Sequence, residues 1–299
     1  MPEAGERTVH SADALPSFKR ILLATDFSVR SAAAVPFARL IAEYYGAVIV
    51  VFHVITAEEP VGAGTQTQAE LDEARDLAES QVRKFVAENP LGQVPYETVV
   101  GRGPVGEVFA PLVEEKHIDL TVLGTHGWSG MGKLLLGSVA QRIFSQAPCP
   151  VLSISPRARA LGEPNGRRAR ILFATGFSPS SLKALPYALS LAKVSHAELL
   201  LLHAPEAAAA DSAQIVQGYH EHLNALIPAQ ERSWCRYDTL VTAGDPDRMI
   251  LDAAERNSVD FIVMGGHSLE GPLSSFQVPL STSYRVVAHA PCPVLRVRS

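Results

Sequence analysis

Short apolar runs alternate with longer amphipathic stretches along this chain, and the whole pattern occurs twice. In the first half the apolar runs fall near 20–25, 47–54, 96–100, 119–124 and 150–154. Four are unbroken β-branched or aliphatic segments, as expected of strands covered on both faces in a parallel sheet. The fifth is shorter and fits an edge strand. Helix-length stretches lie between them: one after Ser28, whose hydroxyl suits an N-cap, then near 69–88, near 105–116, and one opening at Gly137-Ser138. Strand alternating with helix implies βαβ crossovers in an open α/β sheet. Such sheets bind ligands outside the carboxyl ends of their strands.

The second half restates the first. RILLATDFS from Arg20 returns as RILFATGFS from Arg170, and residues 20–53 match 170–203 at 14 of 34 positions. Roughly two matches would arise from composition, so the chain is a duplication with a domain-sized repeat. Tyr96 to Gly127 parallels Tyr237 to Ser268 at an offset of 141, and APCPVLSI from Ala147 becomes APCPVLRV from Ala290 at 143. These offsets imply nine residues lost from one loop of the second copy and two gained in another. Pro156 to Arg168 (PRARALGEPNGRR) lacks periodicity and is rich in Pro, Gly and Arg, which marks a linker. The resulting division is a loose tail over 1–18, a first domain over 19–156, a linker over 157–168 and a second domain over 169–299.

Composition narrows the partners. Of 299 residues, 47% are hydrophobic and 19% charged, and Lys+Arg number 26 against 31 Asp+Glu, a net charge of -5. This is a globular composition without the basic field that gathers nucleic acid or anionic membrane. The longest apolar run, Ala47 to Val54, is far short of the ~20 residues that span a bilayer, so the expectation is a cytoplasmic protein. Three cysteines, none in a CxxC pair, support neither a zinc site nor a disulfide framework. Cys149 and Cys292 each precede a proline at a strand start, where a buried core thiol is the expected role.

Three glycine motifs compete for the chemistry. Gly101 to Gly106 satisfies G-x-G-x-x-G, but it follows the third strand, and the acidic residue expected at the end of the next strand is missing because Asp119 begins that strand. A tight turn explains it. Gly127 to Lys133 approximates a P-loop, yet Leu134 stands where a hydroxyl must bind magnesium. The third pattern is Gly124-Thr125-His126-Gly127, nine residues, then Gly137-Ser138. Here a strand end and a helix start, with its free amides and dipole, can close around a triphosphate. Read alone, the stretch equally fits a loop with a serine N-cap. Asp26, at the end of the first strand, has a carboxylate able to accept two ribose hydroxyls.

The G-x2-G-x9-G-S spacing, TDFS after the first strand and HVI ending the second resemble the universal stress protein family over nearly the whole chain, as a tandem pair. That resemblance implies two five-stranded, mostly parallel α/β sheets flanked by helices, Rossmann-like and similar to adenine nucleotide alpha hydrolases. It implies ATP as ligand, with Mg or Mn held by the phosphates. The site it implies comprises Asp26, Val54, Leu123, Gly124, His126, Gly127, Gly137, Ser138 and Val139. Asp26 and Val54 would hold ribose and adenine, and the glycines, His126 and Ser138 would surround ribose and phosphates. The second copy departs from it: Gly176 replaces Asp26, Ser268 replaces Gly127, and Leu280 replaces Gly137, although His267 and Ser281 remain. The resemblance therefore implies one ATP per chain, and a second domain serving as a built-in partner through the last strands, Pro150 to Ile154 and Pro293 to Val297. Further pairing into a homodimer stays open. No motif marks a Ser/His/Asp or Cys/His catalytic set. A regulatory nucleotide-binding protein is the leading expectation, beside slow ATP hydrolysis or an adenine-cofactor, flavoprotein-like module.

Overall fold

Parallel β-structure begins at β1 (Arg20–Ala24), whose three central residues are buried, and continues through β2 (Val48–Ile55), β3 (Tyr96–Arg102), β4 (Leu120–Gly124) and β5 (Val151–Ile154). This computed structural model describes residues 15–56, 67–125, 138–159, 167–206, 212–266 and 281–298. The strands of the second copy are β6 (Arg170–Ala174), β7 (Glu198–His203), β8 (Tyr237–Val241), β9 (Phe261–Gly266) and β10 (Val294–Arg298). All ten join one sheet in the order β3-β2-β1-β4-β5-β10-β9-β6-β7-β8. Within each copy every pairing is parallel, and the copies meet through one antiparallel pair, β5 with β10. Leu152 faces its own counterpart, Leu295, at the centre of that pair. The short fifth strand is thus interior to the sheet, and the expectation of an edge is corrected: β3 and β8 are the outer strands.

The helices of the first copy are α1 (Val29–Ala32), α2 (Val35–Tyr45), α3 (Gln68–Glu88), α4 (Val105–Glu115) and α5 (Ser138–Gln146). Those of the second are α6 (Pro179–Leu182), α7 (Leu185–Ser195), α8 (Ala213–Ala225), α9 (Pro246–Arg256) and α10 (Thr282–His289). Their apolar stripes divide between the two sheet faces. One core gathers α2, α3, α7 and α8, the other α4, α5, α9 and α10, and each runs across both copies. Burial of the strands on both faces accounts for their unbroken apolar runs.

Two expectations about length are corrected. The nine-residue contraction falls mainly in a helix rather than a loop, since α3 has 21 residues and α8 has 13. Residues 15–18 are not a loose tail, because Phe18 is buried against Tyr45 and Tyr187, where the first copy meets the second. Nearby, the Tyr45 hydroxyl shares a 2.9 Å hydrogen bond with Ser190 Oγ, linking α2 to α7. Among the described residues no helix is long and apolar enough to cross a membrane.

Candidate functional site

The strand order reverses beside β1: the chain moves from β1 out to β2 and β3, then returns to its other side as β4. Helices leaving β1 and β4 must diverge there, which opens a crevice at the carboxyl ends of the two strands. The structure has a cleft of about 260 Å³ at that place, lined by the end of β1 (Ala24 to Asp26), α1 (Ser28, Arg30, Ser31), Phe52 and Val54 of β2, Leu123 and Gly124 of β4, and Val139, Ala140 and Ile143 of α5. Its base is apolar, and its hydroxyls and charges lie on the β1–α1 side.

That side is built by a tight turn. Phe27 sits in the left-handed region at φ 62°, uncommon for a bulky residue. Its amide donates to Thr25 Oγ1 at 2.9 Å, and its ring packs on His53 with centroids 4.2 Å apart. His53 Nδ1 lies 3.0 Å from the Thr25 carbonyl oxygen, which can only accept, so this nitrogen carries a proton. Thr25 Oγ1 also meets Ser31 Oγ at 3.0 Å, which ties the turn to α1. The Ser28 amide and hydroxyl both donate to Asp26 Oδ1, at 3.0 and 2.6 Å. Desolvation pushes the Asp26 carboxyl up, but the bonds from the Ser28 hydroxyl and amide and from Ser31 outweigh it, leaving the carboxyl below its ordinary range. Asp26 is therefore held as a carboxylate, with Oδ1 taking both Ser28 bonds.

Gly124 has a reason of its own. A Cβ there would meet the Arg30 carbonyl oxygen at 2.1 Å and the Ser31 amide nitrogen at 3.1 Å, so the strand end packs directly on the backbone of α1. Gly265, its counterpart, is as tightly held against Ser180 and Ser181 of α6. This glycine serves the scaffold in both copies, whether or not a ligand approaches it.

Of the residues expected at a site, Asp26, Val54, Leu123, Gly124 and Val139 come together around one cleft. Ser138 is the first residue of α5. His126, Gly127 and Gly137 lie outside the described residues, as do His267, Ser268 and Leu280 of the second copy. Sequence reasoning missed Thr25, Arg30, Ser31 and Ile143 as cleft residues. The repeat of T-x-F-S in both copies was a signal for Thr25, since its hydroxyl shapes the turn.

The G-x-G-x-x-G motif resolves into packing, while Gly127 to Lys133 lies outside the described residues. Gly103 adopts φ 122°, a Cβ on Gly101 would strike Val108 at 2.5 Å, and one on Gly106 would strike the Gln146 side chain at 2.6 Å. Asp119 lies at the amino end of β4, where its carboxylate accepts from the amides of Lys19 at 2.8 Å and Arg20 at 3.2 Å. All three cysteines are buried and free. Burial pushes the Cys149 thiol up to about 11 and that of Cys292 to about 12.

The second copy retains the turn without its charges. Phe177 has φ 59°, its amide donates to Thr175 Oγ1 at 2.9 Å, and His203 Nδ1 meets the Thr175 carbonyl at 2.9 Å. A cleft of about 390 Å³ persists, with Gly176 and Ser180 at the positions of Asp26 and Arg30.

Comparison with known proteins identifies both halves alike. The model of the family described as "Universal stress protein family" matches residues 17–155 and again 168–298. A universal stress protein of Mycolicibacterium smegmatis is 28% identical over 293 residues, covering 93% of this chain and 96% of its own length. One from Thermus aquaticus is 36% identical over 141 residues, 46% of this chain and 98% of its own. Among solved structures, a universal stress protein from Archaeoglobus fulgidus superposes with a TM-score of 0.71 at 23% identity, covering 93% of this chain and 98% of that one, a likeness of fold.

Proposed function

The chain belongs to the universal stress protein family, and on that premise we propose that its first domain binds one adenine nucleotide, ATP, in the cleft between the ends of β1 and β4. The observation that carries this reading is the ionised Asp26 at the rim of an apolar crevice, set against Gly176 in an otherwise equivalent turn. The aromatic faces of adenine suit the apolar wall formed by Val54 and Leu123, while the Asp26 carboxylate accepts from ribose hydroxyls. The phosphates extend toward the amino end of α5, where Ser138 and Val139 begin the helix and its dipole favours negative charge. His126, Gly127 and Gly137 belong to this proposed site on the strength of the sequence motif. A divalent ion, Mg or Mn, is held by the phosphates and neutralises them.

The role we assign is regulatory: occupancy of domain one is the signal, and domain two, without a carboxylate at its equivalent turn, is the fixed partner. The test is calorimetric titration of nucleotide-free protein with ATP and with 2′-deoxy-ATP, for wild type and Asp26→Asn. One site per chain is expected, with the Asn variant about ten- to a hundredfold weaker, as for a lost charge-assisted bond of roughly 1.5–3 kcal/mol. Two equivalent sites would refute the loss in domain two. If Asp26→Asn discriminates against the deoxy analogue as strongly as wild type, the carboxylate does not meet the 2′-hydroxyl.

A further inference from the structure

The two domains are not symmetric where they meet. At an offset of 143, Arg296 and Arg298 of β10 correspond to Ser153 and Ser155 of β5. Both arginines reach into domain one. Arg296 Nη1 donates to the Phe144 carbonyl at 2.6 Å, and Arg298 Nη1 to those of Gln146 at 3.1 Å and Ala147 at 3.3 Å. Phe144 and Gln146 are in the last turn of α5, whose final carbonyls have no partner within the helix. Cations at that end also meet the negative pole of the helix.

Arg296 is built into the fold rather than draped on it. It is 4% exposed and makes no ion pair among the described residues, and its guanidinium lies 4.2 Å from the centroid of the Phe144 ring. Burial, with Arg298 adding repulsion, pulls its pKa down to about 10, so the guanidinium remains charged at neutral pH. The room for it comes from Gly266, where a Cβ would strike Arg296 Nε at 2.7 Å. At an offset of 141 the first copy has Thr125 instead, a buried residue whose hydroxyl donates to Ile154 O. Domain two therefore differs from domain one by a coordinated set, Arg296, Arg298 and Gly266, directed at one helix end. In the opposite direction no arginine side chain caps α10 among the described residues: Ser155 Oγ donates to the Ala290 carbonyl at 2.6 Å and the Arg159 amide to that of Pro291 at 2.9 Å.

We propose that Arg296 and Arg298 are positioning residues for the ligand site of domain one, acting through α5, so that domain two sets the affinity of a cleft it does not touch. The nine-residue helix is about 13 Å long. One end is held by the two arginines, and Val139, Ala140 and Ile143 of the same helix line the cleft. A clamp on the carboxyl end fixes the position at which the amino end meets a ligand, and by linkage a ligand bound there strengthens the clamp. The nucleotide in this inference rests on the function proposed above.

The experiment compares wild type, the double variant Arg296→Met/Arg298→Met, the conservative Arg298→Lys, and Ser155→Ala, all as full-length chains. Amide hydrogen exchange is read without ligand, and ATP and adenosine affinities by calorimetry. In the double variant the amides of α5 should exchange faster while those of β1 and β4 keep their protection. ATP affinity should fall about three- to thirtyfold, the range for a residue that modulates a site without contacting its ligand. Adenosine, without phosphates at the helix end, should lose less than twofold. Arg298→Lys should retain most of the ATP affinity, and Ser155→Ala should leave it unchanged because it serves α10. Unaltered α5 exchange in the double variant would overturn the clamp, and equal losses for ATP and adenosine would reduce it to general destabilisation. Failure of wild type to bind ATP would refute the nucleotide reading, and α5 exchange in ligand-free protein would still decide the clamp.

Discussion

Replacing Gly124 with alanine separates a glycine needed by the fold from one needed by a ligand. The added Cβ would lie 2.1 Å from the Arg30 carbonyl oxygen and 2.7 Å from its carbon. Carbon–oxygen contacts settle no closer than about 3.3 Å, so α1 must withdraw by about 1.2 Å. The contact is backbone on both sides and cannot be relieved by a rotamer change. Overpacking of this kind costs about 3 kcal/mol, the upper part of the usual range. For domains of roughly this size each kcal/mol moves Tm by about 2–4 °C, so the expected loss is about 6–12 °C. Gly265→Ala should lose a similar amount, since its Cβ would sit 2.2 Å from the Ser180 carbonyl oxygen. Gly176→Ala is the control, with nothing within 4 Å of the added atom. Thermal unfolding of the three variants, followed by circular dichroism, reads all these values. If Gly124→Ala melts with wild type, or if Gly265→Ala is harmless while Gly124→Ala is not, the packing argument is wrong.

Other outcomes follow from the same geometry. Gly176→Asp fits sterically, yet it should confer no second ATP site in a calorimetric titration, because Leu280 and Ser268 remain; a stoichiometry of two would refute this. Asp26 has a folded pKa below its ordinary 3.8, so the stability it contributes is complete above pH 3.8 and is lost as pH falls through the lower folded value. An NMR titration of its carboxyl carbon should give a midpoint under 3.8, and one above it would contradict the Ser28 hydrogen bonds. With Cys149 and Cys292 pushed to about 11 and 12, their thiolate fraction at pH 8 is on the order of one in a thousand or less. An aromatic disulfide reagent should therefore modify the native protein slowly and all three thiols at once in denaturant, and rapid labelling of native Cys149 would show that its burial is incomplete.

Periodicity located the strands of the first copy to within two residues because parallel strands buried on both faces read as continuous runs, but the one helix expected after Ser28 is two, α1 and α2. Ser28 was legible as a cap and does accept from the Ser31 amide at 3.3 Å. The edge assigned to the fifth strand failed for a physical reason: the open side of β5 is covered by a strand about 140 residues away in sequence. At the site, the chain showed Asp26 as a carboxylate after a strand but not the left-handed Phe27 that turns it, since nothing in a phenylalanine announces positive φ. It also suggested that Gly124 admits a ligand, whereas the demand for glycine comes from α1. Contacts between elements distant in sequence, such as Arg296 on Phe144, leave no local pattern to read.

The antiparallel junction of β5 with β10 also governs what becomes of a half-chain. Each is an interior strand only because the other copy supplies its neighbour, and Val151 to Ile154 are buried throughout. A chain cut between 156 and 168 would present two strand edges with unpaired amides and carbonyls, the kind of surface that templates edge-to-edge association. Fusion of the copies makes this pairing an intramolecular event, independent of protein concentration. It also removes the need for the two edges to be identical, and here one carries Arg296 and Arg298 where the other carries Ser153 and Ser155.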